Sequence, residues 1–140
     1  MSDLPAKLQE IVEDFNFCQG QEKLEYLLEF AERLPDLPPH LAGQHASMDE
    51  VHECMSPVFI LAEKDNGRVI YHFDIPREAP TVRGFATILK EGLDGLSPDQ
   101  IQAVPNEFYF QMGLQDVLTA QRLNGIGAIL AHMKTLARTS

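Results

Sequence analysis

The chain has 140 residues and a mass of 15.7 kDa, with 44% hydrophobic residues, enough to bury the core of one domain, residues 1–140, without disulfides or a metal staple. Eleven Lys and Arg stand against 21 Asp and Glu, and the net charge of −10 repels phosphate backbones and anionic bilayers, which argues against nucleic acid and membrane as partners. No apolar run approaches the ~18 residues of a membrane span, and Met1-Ser2-Asp3-Leu4-Pro5 has no signal-peptide pattern, so a cytoplasmic protein is expected.

Leu4, Leu8, Ile11, Val12 and Phe15 recur at helical spacing, and Leu24, Leu27, Leu28 and Ala31 repeat the pattern after Gly20, predicting two amphipathic helices. Leu34-Pro35-Asp36-Leu37-Pro38-Pro39 stops the second, and His40 to Ser47 reads as loop. Val58 to Ala62 and Val69 to Phe73 are strand-like runs joined through Asn66-Gly67, a hairpin signal because both residues tolerate positive φ. Met48 to His52 is a weaker third strand. A helix follows from Ala79-Pro80-Thr81, with Val82, Phe85, Ala86 and Leu89 as its apolar stripe and Gly92 and Gly95 as its end. Ser97 caps a short helix to about Ala103, with Pro98 at its first position. Asn106 to Met112 reads as another short helix stopped by Gly113, and Thr119 caps a long last one through Leu123, Ile126, Leu130 and Met133. Two helices, about three grouped antiparallel strands and three or four further helices make an α+β fold.

Charge is uneven along this order. Residues 1–36 hold nine acids and three bases, residues 37–111 eleven and five, and residues 112–140 one and three, so an acidic body carries a mildly basic last helix. Two cysteines cannot form a disulfide framework. Cys18, between Phe17 and Gln19 at the end of the first helix, reads as an inert packed thiol. Cys54 lies in His52-Glu53-Cys54-Met55-Ser56-Pro57, between a loop and an apolar strand, and residue type alone leaves it either a small hydrophobe at a strand entry or a reachable thiol. Asp49, Glu50 and Glu53 should raise its pKa, which suits a resting thiol better than a preformed nucleophile.

His40, His45, His52, His72 and His132 could supply the base of a cysteine hydrolase, but no such signature surrounds Cys54, and they read as surface or packing residues. A zinc site fails on spacing. Gly125 and Gly127 inside the last helix predict close approach of another backbone, and packing against the sheet is the favoured reading. Arg122, a cation in the first turn of that helix, opposes the helix dipole and points to a specific acceptor or partner.

From about Lys7 to Leu136 the sequence resembles the SufE family, sulfur-acceptor partners of cysteine desulfurases in iron–sulfur cluster assembly. The resemblance is carried by Lys23-Leu24-Glu25-Tyr26-Leu27-Leu28, Arg33-Leu34-Pro35, Val51-His52-Glu53-Cys54-Met55-Ser56-Pro57-Val58-Phe59-Ile60, Glu78 to Phe85 and Arg122-Leu123-Asn124-Gly125-Ile126, in that order. It implies that Cys54 takes a sulfane sulfur from the persulfide of a SufS-like, PLP-dependent desulfurase, holds it as Cys–S–SH and passes it to a cluster scaffold. His52, Glu53, Met55, Ser56 and Pro57 would form the thiol loop, and Arg122, Glu78 and Arg83 would bind the partner or support the loop.

The family commonly has Gly-Cys-Gln-Ser at the thiol, and here Glu53 takes the place of the small residue. Such a chain would need no cofactor or metal of its own and would not be a stand-alone enzyme, because persulfide transfer is thiol exchange at one accessible sulfur. Cluster scaffolding by one exposed cysteine is disfavoured. The alternatives are a docking activator that carries no sulfur, and a hydrolase or thiosulfate sulfurtransferase that turns over without a partner.

Overall fold

A computed structural model describes residues 4–139. Helix α1 (Ala6–Phe17) buries Leu8, Ile11, Val12 and Phe15 along the predicted stripe. Helix α2 (Gln21–Ala31) follows the turn at Gly20, whose φ of 54° is left-handed. Its buried face is rotated from the predicted one: Leu24 and Leu28 are half-buried, while Lys23 and Phe30 join Leu27 and Ala31 inside. Lys23 explains the rotation. Its Nζ donates to the Phe15 carbonyl at 2.8 Å and the Met112 carbonyl at 3.0 Å, a buried cation satisfied by the ends of two other segments.

Strands β1 (Asp49–Glu50), β2 (Phe59–Asp65) and β3 (Arg68–Asp74) form an antiparallel sheet in the order β1-β2-β3. Asn66 and Gly67, at φ 54° and 80°, make the β2–β3 turn as their residue types predict. Val69, Tyr71 and Phe73 alternate inward along β3. The third strand is only two residues long, Asp49 opposite Ile60 and Glu50 opposite Phe59, and a 3₁₀ turn at His45–Ser47 interrupts the expected loop before it.

Helix α3 (Pro80–Leu93) is the centre of the molecule, touching α1, α2, β3 and α5 (Ala120–Thr139). Two glycines permit this. A Cβ at Gly84 would sit 2.3 Å from the Leu27 carbonyl oxygen, and one at Gly92 would sit 2.8 Å from Leu8 Cδ1. Gly92 is therefore a packing position inside the helix rather than its end, and Gly95, at φ 88°, makes the turn. Helix α4 (Pro98–Gln102) has the expected Ser97 cap, completed as a capping box by Gln100. The helix expected from Asn106 is a 3₁₀ turn at Phe108–Met112, confined between Pro105 and the left-handed Gly113. Before α5, Thr119 Oγ1 accepts from the Arg122 amide at 3.3 Å. The architecture is the expected α+β. Among the described residues no helix is long and apolar enough to cross a membrane.

Candidate functional site

The short β1 turns at once into the loop that carries Cys54. Val51 and Val58 are both buried, and the Val51 amide donates to the Val58 carbonyl at 2.9 Å, closing the loop at its base. Inside it the Cys54 amide donates to Val51 O at 3.3 Å. Cys54 thus sits in a turn between the loop and the apolar strand that flank it in the sequence. Its half-buried thiol faces α5, where Sγ donates to the Gly125 carbonyl at 3.4 Å. A Cβ at Gly125 would lie 3.3 Å from that sulfur and 3.6 Å from Cys54 Cα, so the glycine makes room for the thiol loop. Gly127 faces the Tyr109 ring. The close approach expected of these glycines is real, but their partners are the loop and an aromatic ring instead of the sheet.

Burial pushes the Cys54 thiol up to about 11, with a smaller contribution from the Glu53 carboxylate. The direction agrees with the sequence reading; the cause is chiefly the fold. Of the three acids expected to act, Asp49 and Glu50 face elsewhere. Asp49 Oδ2 bonds His132 Nδ1, and Glu50 Oε2 lies 3.8 Å from His52 Nδ1. Glu53 is held below the usual carboxylate range by a backbone hydrogen bond and by His132 Nε2, 3.1 Å from its Oε1. Burial opposes charge on the His132 ring, yet its bonds to Asp49 and Glu53 outweigh that and raise its pKa.

His132, which the sequence left among surface or packing residues, is the histidine that bonds the thiol loop, and with both nitrogens engaged it is not a free base for Cys54. The other histidines have structural partners: His40 and His72 share Glu63, and His45 bonds Asp74 and stacks on Phe59. Cys18 lies half-buried at the end of α1, beside a Phe17 that is 86% exposed, so it sits at the rim and not in the core.

The thiol borders an open cavity of about 300 Å³ lined by Cys54, Met55 and Ser56 of the loop, Glu78 to Val82 at the start of α3, and Gln121, Arg122 and Gly125 of α5. Arg122 and Glu78 are exposed, and among the described residues neither side chain has a partner. Met55 is 73% exposed beside them, while His52 and Pro57 turn to solvent. Arg83 is apart from this group: buried, it donates from Nη1 to Ile75 O at 2.5 Å and braces the entry to α3. A larger cavity of about 400 Å³ next to Arg83 and Leu28 is lined by no thiol or hydroxyl side chain. Among the described residues no group of His, Cys, Asp and Glu is placed to hold a metal ion. Among the described residues the site is one half-buried thiol with an unpartnered cation and an unpartnered carboxylate on the rim, a sulfur of the kind that takes part in thiol exchange.

A family model, SufE, described as an Fe–S metabolism associated domain, matches residues 9–137. An uncharacterized SufE-like protein of Mycobacterium tuberculosis is 49% identical over 138 residues, covering 98% of this chain and 95% of the relative. A cysteine desulfuration protein SufE of Plasmodium vivax is 25% identical over 138 residues, covering 96% and 54%. The solution structure of a hypothetical protein from Thermus thermophilus superposes with a TM-score of 0.84 at 37% identity and covers 96% of each chain. The chain carrying this thiol loop therefore belongs to the SufE family, whose domain is associated with iron–sulfur metabolism.

Proposed function

We propose that this chain is the sulfur-accepting partner and activator of a PLP-dependent cysteine desulfurase, working in the cytoplasm, with Cys54 as the carrier. The observation that carries this reading is the half-buried Cys54 thiol at the edge of an open cavity, with unpartnered Arg122 and Glu78 on its rim. In the transfer, Cys54 loses its proton and the thiolate attacks the terminal sulfur of the donor's Cys–S–SH. A new S–S bond forms at Cys54, the donor's S–S bond breaks, and the donor's sulfur leaves as a thiolate that takes up a proton. The step is redox-neutral and calls for no oxidant. A second exchange passes the sulfur to a cluster scaffold.

A thiol with its pKa pushed up to about 11 is almost wholly protonated at neutral pH, so the partner has to open the loop before exchange is fast. Closure afterwards shields the carried persulfide from stray oxidants and thiols. Arg122 and Glu78 are the side chains free to meet the partner, with Arg83 a support for α3.

Incubation with a desulfurase and cysteine, followed by intact-mass measurement, tests this. Wild type and Cys18→Ser should gain one sulfur and accelerate sulfide release, and Cys54→Ser should do neither. A Cys54→Ser protein that stimulates as well as wild type would leave only docking activation.

A further inference from the structure

The His132 ring, on α5, meets a carboxylate at each nitrogen: Nδ1 bonds Asp49 Oδ2, and Nε2 bonds Glu53 Oε1 at 3.1 Å. Ionised carboxylates only accept, and a neutral imidazole carries a single N–H, so both bonds coexist only on the protonated ring. Asp49 belongs to β1, where the thiol loop begins, and Glu53 immediately precedes Cys54. One cation therefore ties the start and the middle of the loop to the helix whose Gly125 carbonyl accepts the thiol.

We propose that His132 is a positioning residue for the thiol loop, its imidazolium latching Glu53 to α5 and so holding Cys54 Sγ against Gly125. This rests on the reading of Cys54 as the sulfur acceptor, because the latch governs access to that thiol. Its weaker arm is the Glu53 bond, since Glu53 is 49% exposed and Asp49 39%. When the ring loses its proton, the remaining N–H stays with Asp49 and Glu53 is released. A partner cation that takes Glu53 has the same effect at constant pH.

The charged groups that act on the ring are Asp49 and Glu53. Others near α5 are engaged elsewhere: Glu50 faces His52, Lys134 Nζ donates to Val104 O, Glu63 of β2 holds His40 and His72, and Lys90 of α3 holds Tyr71 O and Asp94. Because the two bonds raise the ring's pKa above the ordinary histidine value, the latch is closed while the ring is protonated and both carboxylates are ionised, and it is lost as pH rises through the His132 titration.

The test is iodoacetamide alkylation of Cys54 against pH, in the free protein and in a Cys18→Ser background so that one thiol is read. Opening and electrostatics predict opposite signs. Removing a cation near the thiol disfavours the thiolate and slows alkylation. Releasing the loop speeds it. His132→Gln should react roughly tenfold faster than its parent at neutral pH, the ratio set by about 1.4 kcal/mol. The parent rate should rise more steeply than hydroxide concentration across the histidine titration, and Glu53→Ala should restore simple proportionality.

An equal or slower rate in His132→Gln overturns the latch, as does excess steepness that survives in Glu53→Ala. Should His132→Gln fail to fold, Glu53→Ala decides alone. No sulfur donor enters this assay, so the latch can fail while Cys54 still gains a sulfur from the desulfurase, and the carrier reading can fail while the latch holds.

Discussion

Position 125 determines where the Cys54 sulfur can sit. Glycine costs a helix about 1 kcal/mol relative to alanine, and at this position the missing methyl leaves the carbonyl open to the thiol. Gly125→Ala should therefore keep or raise the thermal midpoint while driving the loop outward. The measurable consequences are several-fold faster alkylation of Cys54 and an apparent thiol pKa moved from about 11 toward the ordinary 9.0. The sign follows from linkage: the closed loop prefers the protonated thiol, so closure is most stable below the ordinary pKa and weakens as pH rises from about 9 to about 11. An unchanged alkylation rate would mean that the loop accommodates the methyl without opening. The glycine itself was legible as a site of close approach. The identity of its neighbour was not, because nothing local links residue 125 to residue 54.

Among the elements, α3 sets the positions of the rest. Its first turn and the two residues before it, 78–82, line the thiol cavity, and its Gly84 lets α2 approach until a Cβ would meet the Leu27 carbonyl oxygen at 2.3 Å. That oxygen belongs to the backbone of a helix and has little freedom to give way. Gly84→Ala should separate α2 from α3 and lower stability by ~1–3 kcal/mol, in the range of overpacked cores, read as a lower denaturant midpoint. A midpoint at or above wild type would mean that the helices can slide. Element existence was mostly readable from periodicity and turn chemistry. The rotation of α2 was not, since no hydrophobicity pattern places a lysine inside; Lys23 is buried because the carbonyls of Phe15 and Met112 converge on it.

At the scale of the molecule, a body of net charge −10 presents one exposed cation, Arg122, beside the cavity that holds its thiol. The guanidinium has no partner among the described residues, so its removal costs the fold little. Under the proposed function, Arg122→Ala should reduce stimulation of the desulfurase several-fold, chiefly as a weaker apparent affinity, with a thermal midpoint within about a degree of wild type. Unfolding of the variant, or undiminished stimulation, would remove Arg122 from the docking surface. The acidic body and basic last helix were visible in the sequence. That Glu78 stands across the same cavity as Arg122 follows only from the docking of α3 on α5.

Features that are local in the chain follow from residue order alone. Apolar spacing made α1 and α3, Asn66-Gly67 made the hairpin turn, and Ser97-Pro98 started α4, because dihedral preference and side-chain periodicity act over a few residues. The tertiary structure decided what depends on distant segments meeting. His132 bonds residues 83 and 79 positions away, and nothing in its own window separates it from four other histidines. The Cys54 thiol is shifted mainly by desolvation, which exists only once α5 covers the loop, whereas its acidic neighbours could be counted from the sequence and contribute less.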